Sequence, residues 1–388
     1  MKILFTGGGS GGHVYPILAV SQKLKMFSVQ NGVVFDLYYL GVPEIYTYLL
    51  ENNGISVRKI ASAKIRRYFD LQNFIDIPKF FISIIQAFWK VFWLMPDVLF
   101  SKGGTGSFPV VMACKFYGIP IIIHESDSIP GMSNLAASKF ANRIAISFQS
   151  AADVFVNYYN KENQRERILK KIALVGNPVR QFLLEQNNLS DQREEKKTLG
   201  FAAEKPLILV MCGSQGSKRI NEFFLEIASQ LLSEGYQILH QTGINNFDDF
   251  NKDLNSTLEN SPYKNFYQTK SYINDEIKNI YMAADLIVSR AGSNIFEFAV
   301  MGKPSILVPL PESANGHQIN NAYNYAKSGA AIVIEEENLK PGIFMAQIKK
   351  IFSNSENLKA MSMAAKEFAK PDAAKTIAEE IVSLGSLS

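Results

Sequence analysis

KILFTGGGSGGHVYPILAVSQKL, residues 2–24, holds three kinds of chain in succession. Residues 2–6 (KILFT) are a short apolar run, Gly7 to Gly12 carry five glycines and Ser10, and Val14 to Leu24 is amphipathic at helical spacing, with His13 at the junction. This reads as buried strand, tight turn and helix. Such a turn aims free backbone N–H groups and the positive end of a helix at one point, a ready site for phosphate or another anion. A histidine in the first helical turn meets whatever binds there. The helix terminus disfavours its charged form, so His13 is expected to be neutral and able to act as a base near pH 7.

The chain has 388 residues, which suits two domains, and 47% of them are hydrophobic, enough for large cores. A net charge of +4 offers no basis for wholesale nucleic-acid binding. Cys114 and Cys212 lie in apolar segments and are expected to be buried free thiols in a reducing compartment. The apolar run after Lys2 is too short for a secretory signal. Phe80 to Met95 (FFISIIQAFWKVFWLM) raises the membrane question. Lys79 and Lys90 bracket only ten uncharged residues there, too few to span a bilayer. That leaves a buried helix or one lying in the interface. Lys64, Arg66 and Arg67, ahead of Phe69, Phe74 and Ile75, add cations beside aromatics, as an interfacial surface needs.

The strand–glycine–helix pattern occurs twice. After the polar stretch Glu185 to Pro206, Leu207 to Ser217 (LILVMCGSQGS) repeats it. Val33–Leu40, Val98–Ser101, Ile119–His124 and Arg143–Ile146 read as further strands of the first half. Gln237–Gln241, Leu286–Ser289, Ser305–Val308 and Ala331–Ile334 read as those of the second, and Asn354 to Leu387 is helical in period. Strand–helix alternation implies an α/β fold of two doubly wound parallel sheets, with ligands at the carboxyl ends of the strands.

Four histidines occur, His13, His124, His240 and His317, all beside expected strand ends or glycine turns. For His124 and His240, structural hydrogen bonding at a loop start and function are both open. Gly7, Gly9 and Gly12 also satisfy G-x-G-x-x-G, so a nicotinamide dinucleotide fold must be weighed, but the second strand ends at Tyr39-Leu40-Gly41 without the acidic residue that fold needs. No Walker P-loop spacing is present. Gly103–Ser107, Gly213–Ser217 and Gly292–Asn294 are further glycine turns, and together they suit a ligand with phosphates and sugar hydroxyls. No H-x-x-x-H, D-x-D or cysteine pair offers metal ligands. Charge on a departing pyrophosphate would then be met by N–H groups, helix ends or cations such as Arg180, Arg290 and Lys218.

The string GGGSGGHVYPILAVS (7–21) resembles the opening of the MurG family of peptidoglycan synthesis. The likeness continues in order through SKGGTGSFPVVMA (101–113), HESDSIPGMSN (124–134), VGNPVR (175–180), GSQGSKRIN (213–221), HQTG (240–243), SRAG (289–292), GKPSILVPLP (302–311) and HQINNA (317–322). It implies a GT-B fold: two Rossmann-like domains facing a cleft, residues 1–178 for the lipid acceptor and 179–365 for the donor. A carboxyl-terminal helix near 366–388 would pack back on the first. It implies an inverting transferase that moves N-acetylglucosamine from UDP-N-acetylglucosamine to the C4 hydroxyl of lipid I, with no cofactor and no metal. His13 would be the base. Arg180, Ser214, Gln215, Ile273, Glu297, Gln318 and Asn321 would bind the donor. Ser10, Gly11, Gly12, Thr105, Asp127 and Asn134 would line the acceptor side. The family's place is peripheral, on the cytoplasmic face of the cell membrane. Its partners are the anionic membrane surface and cell-wall or division proteins, not nucleic acid. Two departures stand out: HESD where many members have HEQN, and a spacing from Gly292 to Glu297 one residue shorter than usual. The alternatives are a transferase with another lipid acceptor such as diacylglycerol, a dinucleotide-dependent oxidoreductase, or a nucleotide-sugar-binding regulatory protein.

Overall fold

Apolar runs bounded by glycine turns become the central strands. The computed structural model describes residues 1–61, 72–104, 106–185, 191–213, 215–274 and 276–386, with the side chains of all but 72–77. Lys64, Arg66, Arg67, Phe69, Thr105 and Ser214, and the side chains of Phe74 and Ile75, lie outside the described residues. The chain divides into two compact units, Met1–Gln181 with Lys370–Ser388, and Phe182–Ala369.

Among the described residues the first unit holds β1 (Lys2–Thr6), β2 (Asp36–Gly41), β3 (Ser56–Lys59), β4 (Val98–Ser101), β5 (Ile121–Glu125), β6 (Arg143–Ile146) and β7 (Ile172–Leu174). They form one parallel sheet in the order β3-β2-β1-β4-β5-β6-β7. The second unit holds β8 (Leu207–Met211), β9 (Gln237–Gln241), β10 (Tyr267–Lys270), β11 (Leu286–Ser289), β12 (Ser305–Leu307) and β13 (Ala331–Val333), parallel in the order β10-β9-β8-β11-β12-β13. Helices cover both faces, so Ile3, Leu4, Phe5 and Leu207 to Val210 are fully buried.

The strand order reverses between β1 and β4 in one sheet and between β8 and β11 in the other. At such a switch point neighbouring connections leave to opposite faces and open a crevice at the carboxyl ends of the strands. All four glycine turns read from the sequence follow these four strands.

Three strands lie outside the sequence expectation, β3, β7 and β10, and each is at a sheet edge. Val33 and Val34 are exposed and precede β2 instead of opening it. The tail is also not one helix. Pro371 separates Ser355–Phe368 from Ala373–Gly385, because proline cannot continue the backbone bonding of a helix interior. The later helix sets Ile377, Ala378, Ile381 and Leu384 into the core formed by Ile3, Phe5, Val14 and Ile17.

Candidate active site

In the first unit, Ser10 caps the helix Gly11–Asn31, and its carbonyl accepts from the His13 and Val14 N–H groups at 3.0 and 3.1 Å. Ser10 Oγ lies 2.8 Å from His13 Nδ1. Gly11 and Gly12 form the first turn around this pair. The ring is half-buried against the turn that follows β4. A Cβ on Gly104 would stand 3.0 Å from His13 Nε2 and 2.9 Å from the Gly8 nitrogen, and Gly104 has φ 84°, so only glycine fits there. Burial first, then the positive charge of Lys102, hold the imidazole down to about 4, opposed by Asp127. His13 is therefore neutral near pH 7, but burial and Lys102 are the leading causes, where the sequence pointed to the helix end.

The loop after β5 folds around one carboxylate. Glu125 Oε1 accepts from the Asp127 N–H at 3.0 Å, and Oε2 accepts from the Gly131 N–H at 3.0 Å and from Asn134 Nδ2 at 2.9 Å. Asn134 Nδ2 also donates to the His124 carbonyl, whereas its buried Oδ1 meets no donor among the described residues. Asp127 is half-buried on this loop. His124 is internal: Nε2 donates to the Gly176 carbonyl at 2.9 Å. Arg180 belongs to this unit, with its guanidinium 5.2 Å from the centre of the Tyr15 ring. Asp36 opens β2 instead of ending it, so the acidic partner of a dinucleotide site is missing from the carboxyl end of that strand.

In the second unit, the turn after β8 leads into the helix Lys218–Ser233, whose first N–H groups and dipole point at the turn. Gln215 is exposed, and its carbonyl accepts from Asn246 Nδ2 at 3.2 Å. Gln241 spans two loops, donating to the Gly213 carbonyl at 2.6 Å and accepting from the Ile273 N–H at 3.2 Å. Glu297 is buried in the first turn of the helix Ile295–Val300 and accepts from Tyr281 Oη at 2.9 Å. After SRAG the helix begins at Ile295, three residues beyond Gly292. Asn321 is buried and donates to the Ala291 carbonyl at 3.2 Å, bracing that turn. Gln318 Oε1 accepts from the Leu310 N–H at 3.0 Å.

Several candidates have internal partners. His240 donates from Nε2 to Asn221 Oδ1 at 3.1 Å and accepts from Tyr267 Oη at 2.8 Å, a buried structural link whose pKa burial lowers to about 3. Arg290 donates to Ser217 Oγ at 2.7 Å and to the Val308 and Pro309 carbonyls, and it pairs with Glu336. It braces the β8 turn. Lys218 is exposed beside Glu222. Among the described residues no group of His, Cys, Asp and Glu is arranged to hold a metal ion. Cys114 and Cys212 are buried and free. The sequence reading gave no role to Lys102, Gln241 or Tyr281. The signal for Lys102 was a charge set between an apolar strand and a glycine turn.

Two doubly wound units with glycine turns at both switch points make up the GT-B class of fold. Residues 3–146 match the glycosyltransferase family 28 N-terminal domain, and residues 207–377 match its C-terminal domain. The chain is 37% identical over 383 residues to the UDP-N-acetylglucosamine--N-acetylmuramyl-(pentapeptide) pyrophosphoryl-undecaprenol N-acetylglucosamine transferase 2 of Bacillus cereus, covering 98% of this chain and 99% of that one. It is 37% identical over 356 residues to the transferase of that name from Clostridium botulinum, covering 91% of each. The crystal structure of Acinetobacter baumannii MurG superposes with a TM-score of 0.73 at 25% identity, covering 98% of this chain and 99% of that one. The chain belongs to the MurG family of family 28 glycosyltransferases.

Proposed function

We infer that the protein transfers N-acetylglucosamine from UDP-N-acetylglucosamine to the C4 hydroxyl of lipid I, making lipid II for peptidoglycan, with inversion at the anomeric carbon. The observation that carries the chemistry is His13, a neutral imidazole in the first helical turn at a switch point. The relatives' names supply the substrates. The acceptor C4 oxygen bonds to the anomeric carbon as the bond from that carbon to the UDP oxygen breaks. The C4 proton passes to His13 Nε2, whose lone pair is free when Nδ1–H donates to Ser10 Oγ. A base this weak takes the proton only as the C4 oxygen turns acidic in the transition state, but it stays unprotonated in neutral medium. Charge on the leaving diphosphate falls to the backbone of Ser214 and Gln215, the start of the helix Lys218–Ser233, and Arg180. Ile273 takes the uracil, Glu297 the ribose, and Gln318 and Asn321 the sugar. Ser10, Gly11, Gly12, Thr105, Asp127 and Asn134 take the acceptor.

The direct test is incubation with labelled UDP-N-acetylglucosamine and a lipid I analogue. Labelled lipid product and an equal amount of UDP are expected. Transfer to diacylglycerol alone would overturn the acceptor assignment, and no transfer to either would overturn the activity. Glu297→Gln is expected to weaken UDP binding by about 1–3 kcal/mol, the range for a hydrogen bond to a charged group. Calorimetry showing an unchanged Kd would remove Glu297 from the ribose site.

The acceptor's lipid places the first unit at the cytoplasmic face of the membrane as a peripheral protein. One face of the helix Gln72–Leu94 supports this. Ser83, Ala87, Val91 and Leu94 point into the core, whereas Phe81, Ile85, Trp89 and Trp93 point outward, the two tryptophans 64% and 65% exposed. Phe116 stands beside them, exposed, near Phe88. No helix of the described residues is long and apolar enough to cross a membrane. An apolar stripe with Lys79 near its start suits a lipid interface, with rings at the acyl boundary and cations at anionic headgroups. The chain has only these two tryptophans, so its intrinsic emission reports on this stripe. Anionic vesicles are expected to shift that emission to the blue, less so at high salt. Replacing both tryptophans by serine should weaken vesicle binding, followed by sedimentation, at least tenfold, in line with roughly 1.5–3 kcal/mol per buried aromatic. Emission unmoved by vesicles would place the docking surface elsewhere.

A further inference from the structure

Lysine is seldom fully buried unless it is paired. Lys102 is 2% exposed. It follows β4, and its N–H donates to the Thr6 carbonyl at 2.9 Å, so the sheet itself sets its place. Its Nζ lies 2.6 Å from His124 Nδ1 and 3.3 Å from Asn177 Oδ1. Because His124 Nε2 donates to the Gly176 carbonyl, Nδ1 carries the lone pair and Lys102 is the donor. The ammonium therefore ties the ends of β4 and β5 to residues 176–177. Gly7 separates Lys102 from His13, since a Cβ there would touch the Lys102 Cβ at 3.4 Å and the His13 Cβ at 3.5 Å.

Among the described residues the charged groups acting on the His13 ring are Lys102, from the end of β4, and Asp127, from the loop after β5. Ser10 and Gly104, its other close neighbours, are neutral. Lys102 in turn faces Glu125 and Asp127, which favour its charge, while burial lowers its pKa to about 8. It thus carries its charge near pH 7.

We propose that Lys102 is a positioning residue for the transfer: a buried cation, held on His124 and separated from His13 only by Gly7, whose charge keeps His13 a proton acceptor. Held by His124 and Asn177, Nζ acts on His13 by its charge and not by touching substrate. The proposal rests on His13 being the base, and the test separates the two. A nearby cation raises the energy of imidazolium, so removing it makes His13 easier to protonate. His13 is to be titrated by NMR in protein carrying labelled histidine, where four imidazoles are to be told apart and His13→Gln assigns the signal. In the wild type and in Lys102→Arg, His13 should stay neutral down to near pH 4. In Lys102→Met its midpoint should rise by about one unit or more, the scale of one neighbouring charge. The acid limb of kcat should move with it. A purely structural lysine would lower turnover at every pH and leave the midpoint in place. A folded Lys102→Met protein with an unmoved midpoint, or an arginine variant shifted as far as the methionine one, overturns the proposal. If the midpoint moves but the acid limb does not, Lys102 controls His13 while His13 is not the base. That result also overturns the positioning role. If Lys102→Met does not fold, Lys102→Gln takes its place: the His13 midpoint should rise as far, and a folded glutamine variant with an unmoved midpoint overturns the proposal.

Discussion

Replacing His13 with alanine is expected to lower kcat by roughly 10²–10⁴, the range for loss of a general base, and to leave UDP affinity nearly unchanged. The two effects separate because His13 lies in the first unit, on the turn after β1, whereas the proposed diphosphate site is the turn after β8. Neighbouring positions make a fold defect a small part of the loss. The residue is half-buried, among the described residues its ring bonds directly to Ser10, and glycine backbone stands beside it. The measurement is steady-state turnover on an extractable lipid acceptor beside calorimetry with UDP. A variant that turns over at nearly the wild-type rate removes His13 from the mechanism. One that loses UDP affinity in step with turnover places it in donor binding.

Gly216→Ala is expected to lower UDP affinity at least tenfold and to destabilise the second unit by roughly 3 kcal/mol. Gly216 has φ 69°, a conformation that alanine adopts only with strain. An added methyl would also overlap the Thr242 carbonyl oxygen. That oxygen has no room to retreat, because Asn221 Nδ2 and Asn246 Nδ2 donate to it at 3.0 and 3.1 Å. The turn must deform, and its N–H groups then leave the place where the diphosphate is proposed to sit. Calorimetry and thermal unfolding read the two effects. Wild-type values for both would mean that the turn is more pliable than this packing allows.

The central strands were legible because a parallel strand covered on both faces is a continuous apolar run, as in Leu207 to Val210. The edge strands β3 (SVRK) and β10 (YQTK) have one unpaired side and are free to be polar, so no apolar run marks them. The place of His13 in the first turn of a helix was legible because its setting is local, a few residues of turn and helix. The bond from Lys102 to His124 joins residues 22 positions apart, and that to Asn177 residues 75 apart. Such a pairing exists only once β4 and β5 lie side by side. The role of His240 stayed open in the sequence for a related reason: the partners that make it structural, Asn221 and Tyr267, come from a helix and an edge strand distant in sequence.

The break at Pro371 also bears on the order in which the molecule can be built. The helix Ala373–Gly385 closes the core around Ile17 and Phe5, yet it leaves the ribosome only after the whole of Phe182–Ala369. The second unit is one contiguous stretch and waits for no later segment. The first unit, although made earlier, must wait with one apolar face unsealed until the later helix arrives. The unit that emerges first is thus the one finished last, and in the interval that open face is the nascent chain's point of exposure to aggregation and to chaperones.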